Sequence, residues 1–189
     1  MGKGATMWWV LGSVLGIGLL ASRNSSAQSM GNLYVPKTLG QIKAEFGSFT
    51  FTDGDNGTVT VDPDWVAANL VMIKLFDGNK VRLHKKLASN FADIYQKAVT
   101  QGDFHPKRIL GFQPRHVLSD PTRKLSLHSY GIAVDFDPQD NPRSGTIPGT
   151  ISDHPGFISA FTDAGWSWGG NWTGGDRDSM HFQYAGGNV

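Results

Sequence analysis

The chain has 189 residues, 39% of them hydrophobic, which suits one catalytic-sized domain with a short appendage and leaves little room for two. With no Cys, disulfides, thiolate metal sites and a cysteine nucleophile are excluded, so any metal site must draw on carboxylates and 6 His. Lys+Arg 17 against Asp+Glu 16 gives a formal charge of only +1, which speaks against nucleic acid as a partner because that needs a clustered basic face.

In chain order, Lys3 precedes an uncharged run from Met7 to Ala21, and small residues follow at Ser25-Ser26-Ala27. The run is shorter than the roughly 20 residues that comfortably span a bilayer. Residues 1–32 therefore read as a cleaved signal, a short membrane anchor or a weak signal-anchor, with Arg23 to Asn32 as a polar linker and residues 7–21 as a candidate membrane contact. The folded domain is expected over residues 33–189. Thr38 to Phe46 predicts a helix capped by Thr38 and stopped by Gly47. Ser48 to Thr52 and Thr58 to Val61 flank Asp-Gly-Asp-Asn-Gly and predict a hairpin. Asp53 and Asp55 belong to that turn, because the glycine and terminal Glu of a calcium loop are missing.

Pro63-Asp64-Trp65 predicts a short helical segment, Leu70 to Phe76 a strand, and Asp77-Gly78 a turn. His84 to Thr100 is expected to be the main helix, with Leu87, Phe91, Ile94, Tyr95 and Ala98 at steps of three and four. Ile109 to Phe112 and Ile132 to Phe136 are candidate strands of a central sheet, and His154 to Ala164 a helix ended by Gly165. Strands and helices mix without regular alternation, which gives an α+β fold with an antiparallel-rich central sheet flanked by helices.

Chemistry concentrates in two segments. In Ser126-Leu127-His128-Ser129-Tyr130-Gly131, a turn at Gly131 would swing His128 back beside the strand that ends in Asp135. In Asp178-Ser179-Met180-His181-Phe182, His181 opens a last strand able to lie along Ile132 to Asp135 and to supply a third ligand. Imidazole and carboxylate are ordinary zinc ligands, and a catalytic zinc keeps three protein ligands. Asp178 is the candidate general base, free of the metal, and Asp176 is its nearest rival. Each motif alone is weak, and an ordinary surface His or turn Asp would explain it.

Together, SLHSYGIAVDFDPQDNP, WSWGGNW and DSMHFQY resemble the zinc D-alanyl-D-alanine carboxypeptidase and L-alanyl-D-glutamate endopeptidase family, which includes phage endolysins. The resemblance runs from about Leu39 to Tyr184 and includes VRLHKKLASNF. It implies a hedgehog/DD-peptidase-like fold and one zinc ion on His128, Asp135 and His181. It also implies Asp178 as base and Arg115 as the arginine that stabilises the polarised carbonyl, with Arg108 and Arg123 as runners-up. The implied substrate is the peptidoglycan stem peptide, and the implied location is outside the cytoplasmic membrane, exported or anchored and facing the cell wall. The first expectation is cleavage between L-Ala and D-Glu. The alternatives are release of terminal D-Ala, or a zinc-bearing wall-binding module without catalysis.

Ser126 is read as substrate-orienting or as a turn cap. Trp166, Trp168 and Trp172 are expected in core and cleft wall, and His84 packed on the sheet at a helix start. His105, His116 and His154 are expected in solvent, with a place at the border of the site as the alternative for His154, and Asp137 and Asp140 in a turn.

Overall fold

The computed structural model describes residues 34–143 and 150–187. The signal-or-anchor prediction falls on residues 1–32, outside the described residues. No helix among the described residues is long and apolar enough to cross a membrane.

Helix α1 (Leu39–Phe46) starts where Thr38 Oγ1 accepts the Gln41 N–H, and stops at Gly47 in a positive-φ conformation. Strands β1 (Phe51–Asp53) and β2 (Val59–Val61) form the first antiparallel hairpin, with β1 starting later than its sequence suggests. Helix α2 (Pro63–Asn69) carries Pro63 in its first turn and uses Asp62 to cap the Asp64 N–H. Strands β3 (Leu70–Lys74) and β4 (Lys80–His84) form a second hairpin about the turn at Asp77-Gly78.

The main helix differs from expectation at its start. Helix α3 spans Ala88–Gly102, and the expected start, His84, is instead the last residue of β4, directly opposite Leu70. Val81 and Leu83 alternate into the core as a strand requires, and a single 3₁₀ turn at Lys85–Leu87 separates the elements. Pairing with β3 overrides the helical spacing that Leu87 shares with Phe91. From Ala88 onward the predicted stripe holds, with Phe91, Ile94, Tyr95, Ala98 and Val99 buried.

The sheet that builds the site has four antiparallel strands in the order β5 (Ile109–Leu110), β6 (Ala133–Phe136), β8 (His181–Gln183) and β7 (Ser167–Trp168). Helix α4 (Pro155–Thr162) packs on α3 and on one face of this sheet. That face is aromatic: Phe136 lies 5.1 Å from Phe157, and Phe182 lies 5.1 Å from Phe161. Edge and tilted contacts of this kind add about 0.5–1.5 kcal/mol each beyond area burial. The architecture is α+β with small antiparallel sheets and packed helices.

His84 is 1% exposed and sits against Phe46 at 5.0 Å and Trp65 at 6.0 Å. Burial, aided by Lys86 and Lys85 and opposed by the Phe46 backbone and Glu45, pushes its pKa down to about 4. The unfolded chain takes up this proton near the ordinary value of about 6.5 while the folded chain does not, so folding stability falls as pH drops from about 6.5 towards 4. We expect a slope of about 1.4 kcal/mol per pH unit from this group, and about 3 kcal/mol in all. Urea unfolding of His84→Gln across that range should lose this component of the slope. Parallel pH profiles for the two proteins would contradict it.

Candidate metal centre and its flanking groups

Alternation along β6 and β8 decides which residues face the site. Val134 and Phe182 are directly opposed and face the helices, so Asp135 and His181, the next opposed pair, share the other face. His128 arrives from the 3₁₀ turn Leu127–Tyr130, which Ser126 caps and Gly131 ends at φ 66°. The predicted swing at Gly131 is therefore present. It brings His128 Nε2 to 3.1 Å from Asp135 Oδ1 and 3.3 Å from His181 Nδ1, with His181 Nδ1 3.0 Å from Asp135 Oδ1.

Three buried ligand atoms thus form a nearly equilateral triangle, and this is the group among the described residues that could hold a metal ion. The donor chemistry fits zinc. The other ring nitrogen of each histidine lies against an oxygen, His128 Nδ1 at 2.7 Å from the Gly111 carbonyl and His181 Nε2 at 3.0 Å from Gln183 Oε1. Donation to those oxygens leaves the inner nitrogens as lone-pair donors, the outer support that orients zinc-binding histidines. Gln183 is itself fixed by donating to the Gly187 carbonyl at 2.6 Å.

Electrostatics prepare the same group. Burial works against ionisation of Asp135, but His128 and His181 outweigh it and hold the carboxyl well below the usual range. Burial pushes His128 down, towards the neutral form a cation needs. Burial also opposes charge on His181, yet its bond to Asp135 prevails and raises it. A cation needs the neutral imidazole, so binding should weaken as pH falls.

Asp178 is 7% exposed and lines the same cleft as His128 and His181, its backbone N–H on the Gly169 carbonyl at 3.0 Å. Gly169 permits the approach, since a Cβ there would fall 2.5 Å from the Asp178 carbonyl oxygen. Burial first, and Asp135 after it, raise the Asp178 carboxyl to about 6 against the opposing pull of His181, Arg143 and Arg115. Its Oδ1 has no hydrogen-bond partner among the described residues. A buried carboxyl titrating near neutrality beside a prospective electrophile is suited to proton transfer. Asp176, the rival, is exposed and paired with Arg143 at 2.7 Å.

Arg115 places Nη2 at 3.5 Å from Asp135 Oδ2, and its Nη1 donates to Gln113 Oε1 at 2.9 Å. Its backbone is pinned by Ser129, whose hydroxyl accepts the Arg115 N–H and donates to the Arg115 carbonyl, both at 3.0 Å. Of the runners-up, Arg123 pairs with Asp120 at 3.4 Å on the cleft rim and Arg108 is exposed. Ser126 lines the cleft and accepts the His128 N–H at 3.4 Å, the geometry of a turn cap. The cleft is about 360 Å³, walled by Trp172, whose ring lies 5.4 Å from that of His181. Trp166 and Trp168 are buried in the core.

Other expectations need correction. His116 is not in solvent. It is 5% exposed and bound by the Arg123 carbonyl at 2.6 Å and by Asp53 at 2.8 Å, a partner 63 residues away. His154 is half-buried, with Nδ1 3.1 Å from the Gly102 carbonyl and its ring on Phe104, and it does not line the cleft. His105 is exposed as expected. Sequence reading missed Ser129, Gln183 and Arg143. Period two from His181 could have found Gln183, whereas nothing local marks the other two.

Gly131 ties the site to the β3–β4 hairpin, because its carbonyl accepts the His84 N–H at 2.8 Å. A Cβ there would lie 2.7 Å from Leu70 Cδ2 and 2.9 Å from the His84 nitrogen, on a residue at φ 66°. Gly131→Ala should cost roughly 1–3 kcal/mol of stability from backbone strain alone. Zinc affinity should weaken with it, since His128 would shift. Urea unfolding and zinc titration check both, and unchanged values would contradict this role.

Residues 119–184 match the family model described as D-alanyl-D-alanine carboxypeptidase, and the resemblance read from the sequence stands. The matched stretch holds His128, Asp135, Asp178 and His181 but is shorter than the Leu39–Tyr184 span of the sequence reading, and Arg115 lies outside it. The match covers less than half of the chain and is a likeness to that family over the stretch that carries the site. No curated protein and no solved structure matches the chain.

Proposed function

We propose, from a chain whose residues 119–184 match the D-alanyl-D-alanine carboxypeptidase family, a zinc-dependent hydrolase of amide bonds in peptidoglycan stem peptides. The observation that carries it is the buried triangle of His128 Nε2, Asp135 Oδ1 and His181 Nδ1, with sides of 3.0 to 3.3 Å, in a cleft that Asp178 also lines. These three residues would hold one ion. A zinc ion supplies Lewis acidity towards the scissile carbonyl and towards an attacking water.

The remaining work falls to the chain's own side chains. Asp178, once ionised, accepts a proton from the attacking water and returns it to the leaving amine nitrogen, so the C–N bond breaks without expelling an unprotonated amine. Arg115 donates N–H groups towards charge that builds on the carbonyl oxygen, a contribution commonly worth about 3–4 kcal/mol for one such donor. Trp172 walls the cleft and limits water beside His181. The hedgehog/DD-peptidase-like fold and a location facing the wall belong to this same reading.

Cleavage between L-Ala and D-Glu is the first assignment, on the short, loop-light domain. Release of terminal D-Ala is the second, and the description of the matching family favours it. The non-catalytic module is disfavoured, because Asp178 stands in the cleft outside the ligand group, where a general base is needed. Mass spectrometry of stem peptides digested with and without chelator separates the three. Fragments with a new D-Glu amino terminus, lost on chelation and restored by zinc, are expected. Loss of a single D-Ala would reassign the bond, and no cleavage by folded, zinc-loaded protein would overturn the reading.

A further inference from the structure

Arg143 is a cleft cation that the mechanism does not use. It lines the cleft with His181 and Trp172, and its backbone pairs with Asp178 in an isolated antiparallel bridge. Its Nη2 donates to Asp176 Oδ1 at 2.7 Å and its Nε to the Gly175 carbonyl at 3.3 Å. Nη1 lies 3.9 Å from Asp178 Oδ2, too far for a hydrogen bond, and finds no nearer acceptor among the described residues.

Of the other cleft cations, Arg115 lies against Asp135 and Arg123 against Asp120, while Lys124 offers a single ammonium rather than a planar fork. The partner that holds Arg143 is 55% exposed, and a surface ion pair of that kind has little net worth and gives way to a better acid at small cost.

Substrate chemistry says what that acid is. In the reading above, on which this inference rests, Asp178 hands a proton to the leaving amine. In a stem where glutamate continues through its side-chain carboxyl, the residue that supplies this amine keeps a free α-carboxylate on the carbon next to the nitrogen. A terminal D-alanine does the same. Whichever bond is cut, a carboxylate arrives beside Asp178, where Arg143 offers Nη1 and, on releasing Asp176, Nη2 as well. A planar guanidinium is suited to hold it bidentately.

We infer that Arg143 exchanges Asp176 for the free α-carboxylate of the residue on the leaving side of the scissile amide, and so selects substrates that carry an acid there over those that carry an amide. It is a specificity-determining residue that touches substrate without taking part in proton transfer.

The test needs no turnover, because the leaving-side products carry the same group. Zinc-loaded full-length protein is titrated, with NMR detection, with γ-D-Glu-L-Lys and its α-carboxamide in one arm, and with D-alanine and D-alaninamide in the other. Wild type should bind the carboxylate form about tenfold more tightly, the scale of a hydrogen bond to a charged group. The arm that shows this preference identifies the source of the carboxylate. Arg143→Gln should bring the ratio to about one with affinity for the amide form unchanged, and Arg143→Lys should restore part of it. Asp176→Asn, by freeing the guanidinium, should tighten the carboxylate form only. A preference that survives in Arg143→Gln, an equal loss for acid and amide, or no preference in either arm would overturn the assignment. Cleavage is scored separately. A carboxylate preference without hydrolysis would sink the peptidase reading alone, and hydrolysis without the preference would sink the role of Arg143 alone.

Discussion

Asp178→Asn should lower kcat/KM by roughly two to four orders of magnitude while one zinc ion per chain stays bound. The substitution keeps shape, and the backbone bond from residue 178 to the Gly169 carbonyl does not involve the side chain. What it removes is the ability to accept a proton. The pH dependence follows with a definite sign. Burial raises the carboxyl to about 6 in the metal-free protein, and a cation seated beside it favours the ionised form. The neutral acid cannot act as a base, so the rate should climb with pH along an acid limb centred at about 6 or below. That limb should vanish from the residual activity of the variant. Steady-state kinetics with metal analysis on the same samples decides it, and a zinc-loaded variant with full activity would remove Asp178 from the mechanism.

His181→Ala should abolish both metal binding and turnover. Changes to outer partners of zinc histidines already cost about 10–100-fold in affinity, so deleting a ligand should weaken zinc by at least about a hundredfold. Gln183→Ala is the graded companion. It leaves the imidazole but removes the Oε1 that fixes its tautomer at 3.0 Å, so it should fall in the 10–100-fold range. Chelation of wild type should reproduce the loss of activity and added zinc should reverse it, whereas zinc should not rescue His181→Ala. Wild-type zinc affinity in the His181→Ala protein would contradict the ligand set.

The two expected results depend on features that were unequally visible in the sequence. The apolar stretch Ile132 to Val134 with Asp135 at its end, and His181 opening the last strand, announced two neighbouring strands. The register that sets Asp135 opposite His181 agrees with that reading. The α1 caps at Thr38 and Gly47 and the stripe on α3 were equally visible, because local spacing and capping chemistry decide them. The misreadings share a cause. His84 reads as the start of a helix, since its place at the end of β4 comes from pairing with β3 across the Asp77-Gly78 turn. His116 was expected in solvent because Asp53, which binds it, is remote in sequence. Arg143 went unnoticed because only a backbone bridge to Asp178 brings it to the cleft. Contacts between distant segments determine each of these, and no window of neighbouring residues carries them.

The same division applies to function. Ligand types and spacing pointed to a metal, while the support of Gly111 and Gln183 behind the two imidazoles, and of Ser129 behind Arg115, emerged only from the folded chain. Those supports turn a set of ligand types into a preorganised site, since they settle which nitrogen of each ring faces inward.

The most direct measurement is a crystal structure of the zinc-loaded protein with anomalous data collected on both sides of the zinc absorption edge. The account predicts one zinc peak, bonded to His128 Nε2, His181 Nδ1 and an Asp135 carboxylate oxygen, with Asp178 nearby and not coordinated. A zinc ion bound elsewhere, no bound ion, or Asp178 as a ligand in place of Asp135 would contradict it.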